Sequence, residues 1–144
     1  MRILFSLCSL LYIASIFILA GSPVVETLSE FNPYSLLHIP LYGILTFLLA
    51  LSIVPIRRRP NGPSIQQSND STRPRSKESG GLRLRLFIAG WIAFAVGIFD
   101  EAHQLYVPDR VASVTDVVLD MVGITLALVL FFGLFKTGVL KLKE

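Results

Sequence analysis

The hydrophobic pattern of the chain consists of four long apolar stretches separated by polar segments. A helix needs about 20 mostly apolar residues to cross the hydrocarbon core of a bilayer. The stretches cover residues 3–20, 36–56, 84–104 and 113–135. They predict an all-α fold: a polytopic membrane protein with four transmembrane helices. We expect these helices to form one domain over residues 1–144.

The first stretch resembles both a membrane anchor and a secretory signal peptide. It has one arginine in front and ends in the small residues Ala20, Gly21 and Ser22. Its apolar run is longer than the apolar region of a signal peptide, which has about 7–15 residues. We expect an uncleaved anchor, and the alternative of cleavage leaves three spans with the same orientation.

The segment at residues 56–83 is rich in Pro, Ser, Gly, Asn and Arg and contains few large apolar residues. Such a composition buries too little surface to fold. We therefore predict a disordered basic linker. An alternative is a tether for anionic lipid headgroups, to which each Lys or Arg contributes about 1 kcal/mol.

Basic residues divide the segments outside the spans into two groups. Arg2, the linker and the tail after residue 135 are basic, whereas residues 21–35 contain only acidic charges and the 105–112 loop contains Arg110. Short loops rich in Lys and Arg stay in the cytoplasm. This distribution predicts a multi-pass protein of the cytoplasmic (inner) membrane, with both termini and the linker inside.

Composition agrees with a bilayer as the surrounding medium. Only 16% of the residues are charged and 53% are hydrophobic, whereas soluble domains carry about 25% charged residues. A single cysteine, Cys8, excludes an intrachain disulfide. The sequence contains no nucleic-acid-binding module, so we expect lipid and no nucleic acid as partner, and it defines no oligomeric state.

Polar side chains are concentrated at one end of three predicted helices. Because neighbouring spans run antiparallel, the start of the second, the end of the third and the start of the fourth share the outer half of the bilayer. The residues are His38 and Tyr42 on the second helix, Asp100, Glu101, His103 and Gln104 on the third, Arg110 in the loop, and Ser113, Asp116 and Asp120 on the fourth.

Ionisable groups inside a bilayer are costly, at about 2.5–3.5 kcal/mol for Asp at a helix centre, and by default mark function. Neighbouring carboxylates raise one another's pKa, which makes Asp100, Glu101 and Asp116 candidate catalytic acids or bases. Arg110 suits a phosphate or carboxylate of a ligand. The other polar residues are candidate ligand-binding groups, and the alternative is a purely structural network.

Asp and His together suit a divalent metal, but no spacing here is diagnostic of a metal site. We therefore predict no metal and no cofactor.

The region from Asp100 to Gly123 resembles the VanZ-like membrane protein family, whose pattern is D-E-x-x-Q, P-x-R, S, D and G. His38 and Tyr42 are similar to its H-x-x-x-Y. The chain departs from the pattern at Ser35, where lysine is frequent, at Asp109 and at Asp120, and its linker resembles an insertion. The matching residues are Asp100, Glu101, Gln104, Pro108, Arg110, Ser113, Asp116 and Gly123.

The resemblance implies a role at the cell envelope, since the namesake is associated with reduced susceptibility to the glycopeptide teicoplanin. We expect an outward-facing polar pocket for an envelope lipid, a glycan precursor or a lipophilic glycopeptide. One alternative is an intramembrane enzyme that acts on a lipid-linked substrate by carboxylate acid/base chemistry. Another is a structural or assembly partner of an envelope protein.

Overall fold

The computed structural model describes residues 2–20, 22, 34–57, 75–107 and 112–142. These residues form four helices and a two-residue antiparallel ladder, which confirms the all-helical class. The elements are α1 (Arg2–Ala20), a 3-10 turn (Tyr34–Leu37), α2 (His38–Ile53), β1 (Ile56–Arg57), α3 (Arg75–Gln104), α4 (Val114–Lys136) and β2 (Lys141–Leu142).

Three of the described helices are long and apolar enough to cross a membrane: α1, the Gly80–Gln104 part of α3, and α4. The apolar helix α2 has 16 residues. At a rise of about 1.5 Å per residue it measures roughly 24 Å, less than the hydrocarbon core of about 30 Å. The second span predicted over residues 36–56 is therefore shorter at both ends than expected.

Two prolines explain the ends of α2. Pro40 lies in the first turn, where a missing N–H costs no helical hydrogen bond, and the chain before it forms the tighter 3-10 turn. Val54 precedes Pro55 and has an extended backbone, with φ −83° and ψ 123°. A helical backbone conformation is unfavourable for a residue that precedes proline, so the helix ends at Ile53.

Helix α3 begins well before its apolar part, at Arg75. The two ends of the segment predicted as a linker, residues 56–83, form β1 and the first turns of α3 in the structure. Arg, Lys and Glu are good helix formers, and a helix lengthens outward by one hydrogen bond for each residue added. Residues 58–74 lie outside the described residues.

Helix α2 packs against α1, α3 and α4 and so occupies the centre of the bundle. The buried residues of α3 recur every three or four positions, as expected for one face of a helix. The apolar core contains Ile16 of α1, Tyr42, Leu45 and Leu49 of α2, Leu82, Leu86, Ala89 and Ala93 of α3, and Ile124 and Phe131 of α4.

The outer surface of the bundle is apolar. Ile3, Leu11 and Val129 are 78%, 71% and 65% exposed, and many other large apolar side chains are also on the outside. An apolar surface of this extent marks contact with a membrane or a partner. Together with the helix lengths, it indicates a membrane protein.

Two arginines hold the C-terminal end of α2. Arg2 Nε donates to the Ser52 carbonyl at 3.2 Å, and Arg85 Nη1 donates to the Ile53 carbonyl at 2.9 Å. The last carbonyls of a helix have no partner within the helix, and cations are favoured there. These contacts fix α2 to α1 and α3 at this end of the bundle.

The backbones of α2 and α4 approach closely at Gly123. A Cβ added to Gly123 would collide with the carbonyl oxygen of Ile39 and lie 3.1 Å from the Gly43 nitrogen. The reverse contact is looser, since a Cβ at Gly43 would lie 3.5 Å from the Gly123 oxygen. Small residues permit this approach between membrane helices.

We predict that Gly123→Ala lowers the thermal unfolding temperature in detergent, because overpacking costs about 1–3 kcal/mol. Gly43→Ala is the matched control, since its added methyl makes an ordinary contact. Circular dichroism melting of both purified variants measures the effect. Equal melting temperatures for wild type and Gly123→Ala would contradict the close approach.

Candidate functional site

Seven polar side chains from α2, α3 and α4 meet where α2 and α4 begin and α3 ends. Six of them are at most 6% exposed, and the Asp116 side chain is 13% exposed. On α3 they continue the buried stripe of the core, because Asp100 and Gln104 follow Ala93 at helical spacing. We call the set the polar cluster: His38, Tyr42, Asp100, Glu101, Gln104, Asp116 and Asp120.

His38 lies between two aspartates of α4. Its Nδ1 is 2.8 Å from Asp120 Oδ1, and its Nε2 is 3.9 Å from Asp116 Oδ2. Asp116 and Asp120 are one helical turn apart, so both reach the same imidazole. An ionised carboxylate only accepts hydrogen bonds. With Asp120 ionised, the His38 Nδ1–H is the donor in this short contact.

Tyr42 connects this pair to α3. Its ring is stacked on that of His38, with centroids 6.2 Å apart and an angle of 11° between the planes. Its hydroxyl donates to Asp100 Oδ2 at 3.3 Å, and Gln104 Nε2 donates to the same oxygen at 3.3 Å. Buried polar groups need such partners, and here they come from two helices.

Glu101 and Ser113 connect α3 to α4. The Ser113 N–H donates to Glu101 Oε2 at 2.8 Å, and the Ser113 hydroxyl accepts from the Thr115 N–H at 3.2 Å. The hydroxyl therefore caps α4, a frequent role of serine. The structure places Ser113 beside the polar cluster as a helix cap whose backbone holds Glu101.

His103 lies outside the polar cluster. It is exposed, and its ring packs edge-on against Phe17 of α1 at 5.7 Å between centroids. The sequence analysis grouped His103 with Asp100 and Gln104, but in the structure its side chain points away from them. At roughly 100° per residue, Gln104 lies between Asp100 and Glu101 around the helix axis, whereas His103 lies to one side of them, toward α1.

Arg110, the predicted contact for an anionic group, lies outside the described residues, as do Pro108 and Asp109. Its role in ligand binding stays a prediction.

Gly97 is a member of the site that the sequence analysis missed. A Cβ at Gly97 would lie 2.9 Å from Asp120 Oδ2 and 3.4 Å from Tyr42 Cε1. The absence of a side chain on α3 makes room for the buried carboxylate of α4. The sequence offers one indication of this role: Gly97 lies three residues before Asp100, which puts both on the same side of the helix.

The described residues do not satisfy every acceptor of the polar cluster. Asp116 Oδ1 and Asp120 Oδ2 are buried and have no hydrogen-bond partner within the described part of the chain. A buried polar group without a partner costs about 1–3 kcal/mol. The polar cluster therefore has capacity to bind a further donor or cation.

An apolar groove of about 400 Å³ runs between α2 and α4 and starts beside the polar cluster. Ile39 and Gly123 line it, and they neighbour His38 and Asp120 along their helices. The groove continues past Phe47 toward Leu130. The buried polar cluster and the apolar groove are thus neighbours along α2 and α4.

Apolar helices around a buried polar site define a helical membrane protein with a candidate functional centre at one end of the bundle. The chain matches the VanZ/LLP1 family over residues 5–136 and belongs to this family. The resemblance inferred from residues 100–123 is thereby confirmed. No curated protein and no solved structure matched the chain.

We predict that His38→Ala destabilises the protein strongly, because breaking a buried ion pair costs about 3–5 kcal/mol. His103→Ala, which removes the exposed histidine of α3 and its edge-on contact with Phe17, should cost less, about 0.5–1.5 kcal/mol. Thermal melting in one detergent compares the two variants. If the two variants have the same melting temperature, the His38–Asp120 contact does not stabilise the bundle.

Proposed function

We propose that this VanZ-type protein crosses the cytoplasmic membrane four times, with both termini inside and the polar cluster at the outer end. Arg2, Arg85 and Lys136 belong to the end of the bundle opposite the carboxylates. The positive-inside rule puts that end in the cytoplasm. A short α2 is compatible with a span, because local thinning of the bilayer accommodates a short helix at modest cost.

We further propose that the polar cluster binds an amphipathic envelope molecule: an envelope lipid, a lipid-linked glycan precursor or a lipophilic glycopeptide such as teicoplanin. The observation that carries this proposal is the buried polar cluster, with unsatisfied oxygens, beside an apolar groove. Binding sites of this kind combine an apolar lining with a few placed polar groups. The groove would take the apolar tail and the polar cluster the head.

Arg110 is assigned to an anionic group of this ligand. Its loop joins the end of α3 to the start of α4, the two helix ends that carry Glu101 and Asp116. A guanidinium recognises carboxylate and phosphate through two parallel hydrogen bonds.

We predict that wild-type protein raises the teicoplanin concentration needed to inhibit a susceptible bacterial host, and that Asp116→Asn and Arg110→Ala abolish this protection. Thr115→Ala is the matched control, since Thr115 is exposed next to Asp116. Inhibitory concentrations are measured at equal membrane abundance, established by immunoblotting of membrane fractions.

Three results would count against the proposal in different ways. If wild type inserts fully and does not protect, the glycopeptide is not the ligand. If both variants protect as wild type does, the polar cluster does not bind it. If the variants only lower abundance, the polar cluster serves folding or assembly with another envelope protein.

A second candidate function is catalysis on a lipid-linked substrate. The His38–Asp120 contact of 2.8 Å favours it, because a carboxylate that orients an imidazole is a recurring feature of acid/base sites. Mass spectrometry of lipid-linked envelope precursors from cells with wild type or Glu101→Gln tests it. A product present only with wild type supports catalysis, and identical lipid profiles contradict it.

A further inference from the structure

Three helices each direct one potential metal ligand toward the same point. His38 of α2, Glu101 of α3 and Asp116 of α4 offer one donor atom each, and these atoms lie within 4.8 Å of one another. Imidazole nitrogen and carboxylate oxygen both bind divalent transition metals. The three ligands are separated by long stretches of sequence, which explains why no diagnostic spacing marks them.

The histidine is oriented as a ligand would be. Its side chain is only 6% exposed, and Nδ1 is held by the Asp120 carboxylate at 2.8 Å. Within the described part of the chain Nε2 makes no hydrogen bond, and the Asp116 carboxylate is 3.9 Å away. Metal-binding histidines almost always donate their second N–H to a carboxylate, carbonyl or water, which fixes the tautomer.

The charges also favour a cation at this point. Glu101 and Asp116 bring two carboxylates together beside the third carboxylate of Asp120. Asp116 Oδ1 is buried without a hydrogen-bond partner among the described residues. A divalent ion would offset the repulsion between these groups and occupy oxygen lone pairs that protein donors leave unused.

We propose that His38, Glu101 and Asp116 bind one divalent metal ion, with zinc as the best match, and that Asp120 positions the histidine. The proposal concerns the metal alone and does not depend on the proposed ligand. The metal would join α2, α3 and α4 at a single point and leave one coordination position for water or a substrate oxygen, as in zinc sites with three protein ligands.

The distances permit this site after a small inward movement. The three donor atoms lie within 4.8 Å of one another, so a cation centred among them would lie no more than about 2.8 Å from each, whereas zinc prefers about 2.0–2.2 Å. Each donor therefore needs to move by at most roughly 0.7 Å. The mixed nitrogen and oxygen ligands favour zinc over magnesium, which keeps several waters and prefers oxygen alone.

The test measures zinc bound to the purified full chain in detergent. Protein is stripped with a chelator, dialysed against buffered free Zn²⁺, and analysed by inductively coupled plasma mass spectrometry. We expect one zinc per wild-type chain and an affinity loss of at least about tenfold in Glu101→Gln and Asp116→Asn. Asp120→Asn should weaken binding by about 10–100-fold, the usual effect of losing a histidine's supporting carboxylate.

His103→Ala is the matched control, because it removes the exposed histidine and should bind zinc as wild type does. Glu101→Gln is nearly isosteric and keeps an oxygen for the Ser113 N–H, so it separates metal binding from folding. Circular dichroism verifies that each variant is helical. Zinc should also raise the melting temperature of wild type but not of Glu101→Gln, since a ligand stabilises only the state that binds it.

Absence of zinc binding by folded wild-type protein would overturn the proposal. Equal affinity of wild type and Glu101→Gln, or loss of zinc from His103→Ala, would overturn the assignment of the ligands. Stronger binding of Mn²⁺ than of Zn²⁺ in competition would overturn the choice of zinc.

Discussion

The cost of placing ionisable groups in an apolar medium determines how one end of this bundle is built. His38, Asp100, Glu101 and Asp120 are buried on helices whose outer surfaces are apolar. Such groups cannot face lipid without a large penalty, so they face one another across α2, α3 and α4. The 2.8 Å contact between His38 and Asp120 joins the two helices that also approach most closely, and the remaining members of the polar cluster are arranged around it.

Close approach of the backbones makes this contact possible. Gly123 brings α4 against α2 one turn from Asp120, and Gly97 leaves space on α3 for the same carboxylate. At the other end, arginines bind the last carbonyls of α2. The central helix is thus held by polar contacts at both ends and by apolar packing between them. The bundle therefore has an acidic end, suited to a ligand or cation, and a basic end.

Much of the fold follows from the sequence, because helices and their buried faces depend on local hydrophobic spacing. The same spacing correctly placed Asp100, Gln104 and Asp120 with His38 and Tyr42, since antiparallel helices bring these ends together. The early end of α2 depends on its prolines, and the outward position of His103 depends on which side of α3 meets α2. The role of Gly97 depends on a carboxylate from another helix. The positions of His103 and Gly97 depend on contacts between helices that are distant in sequence, and a single sequence gives little information about such contacts.

The most direct test of this account is a double-mutant cycle between His38 and Asp120. The free energy of unfolding is measured in one detergent for wild type, His38→Ala, Asp120→Ala and the double variant. Residues in direct contact show interaction energies of about 0.5–3 kcal/mol, whereas independent sites add within about 0.5 kcal/mol. The account predicts that the double variant loses less stability than the sum of the single variants. Strict additivity would contradict it, because the two side chains would then not be joined.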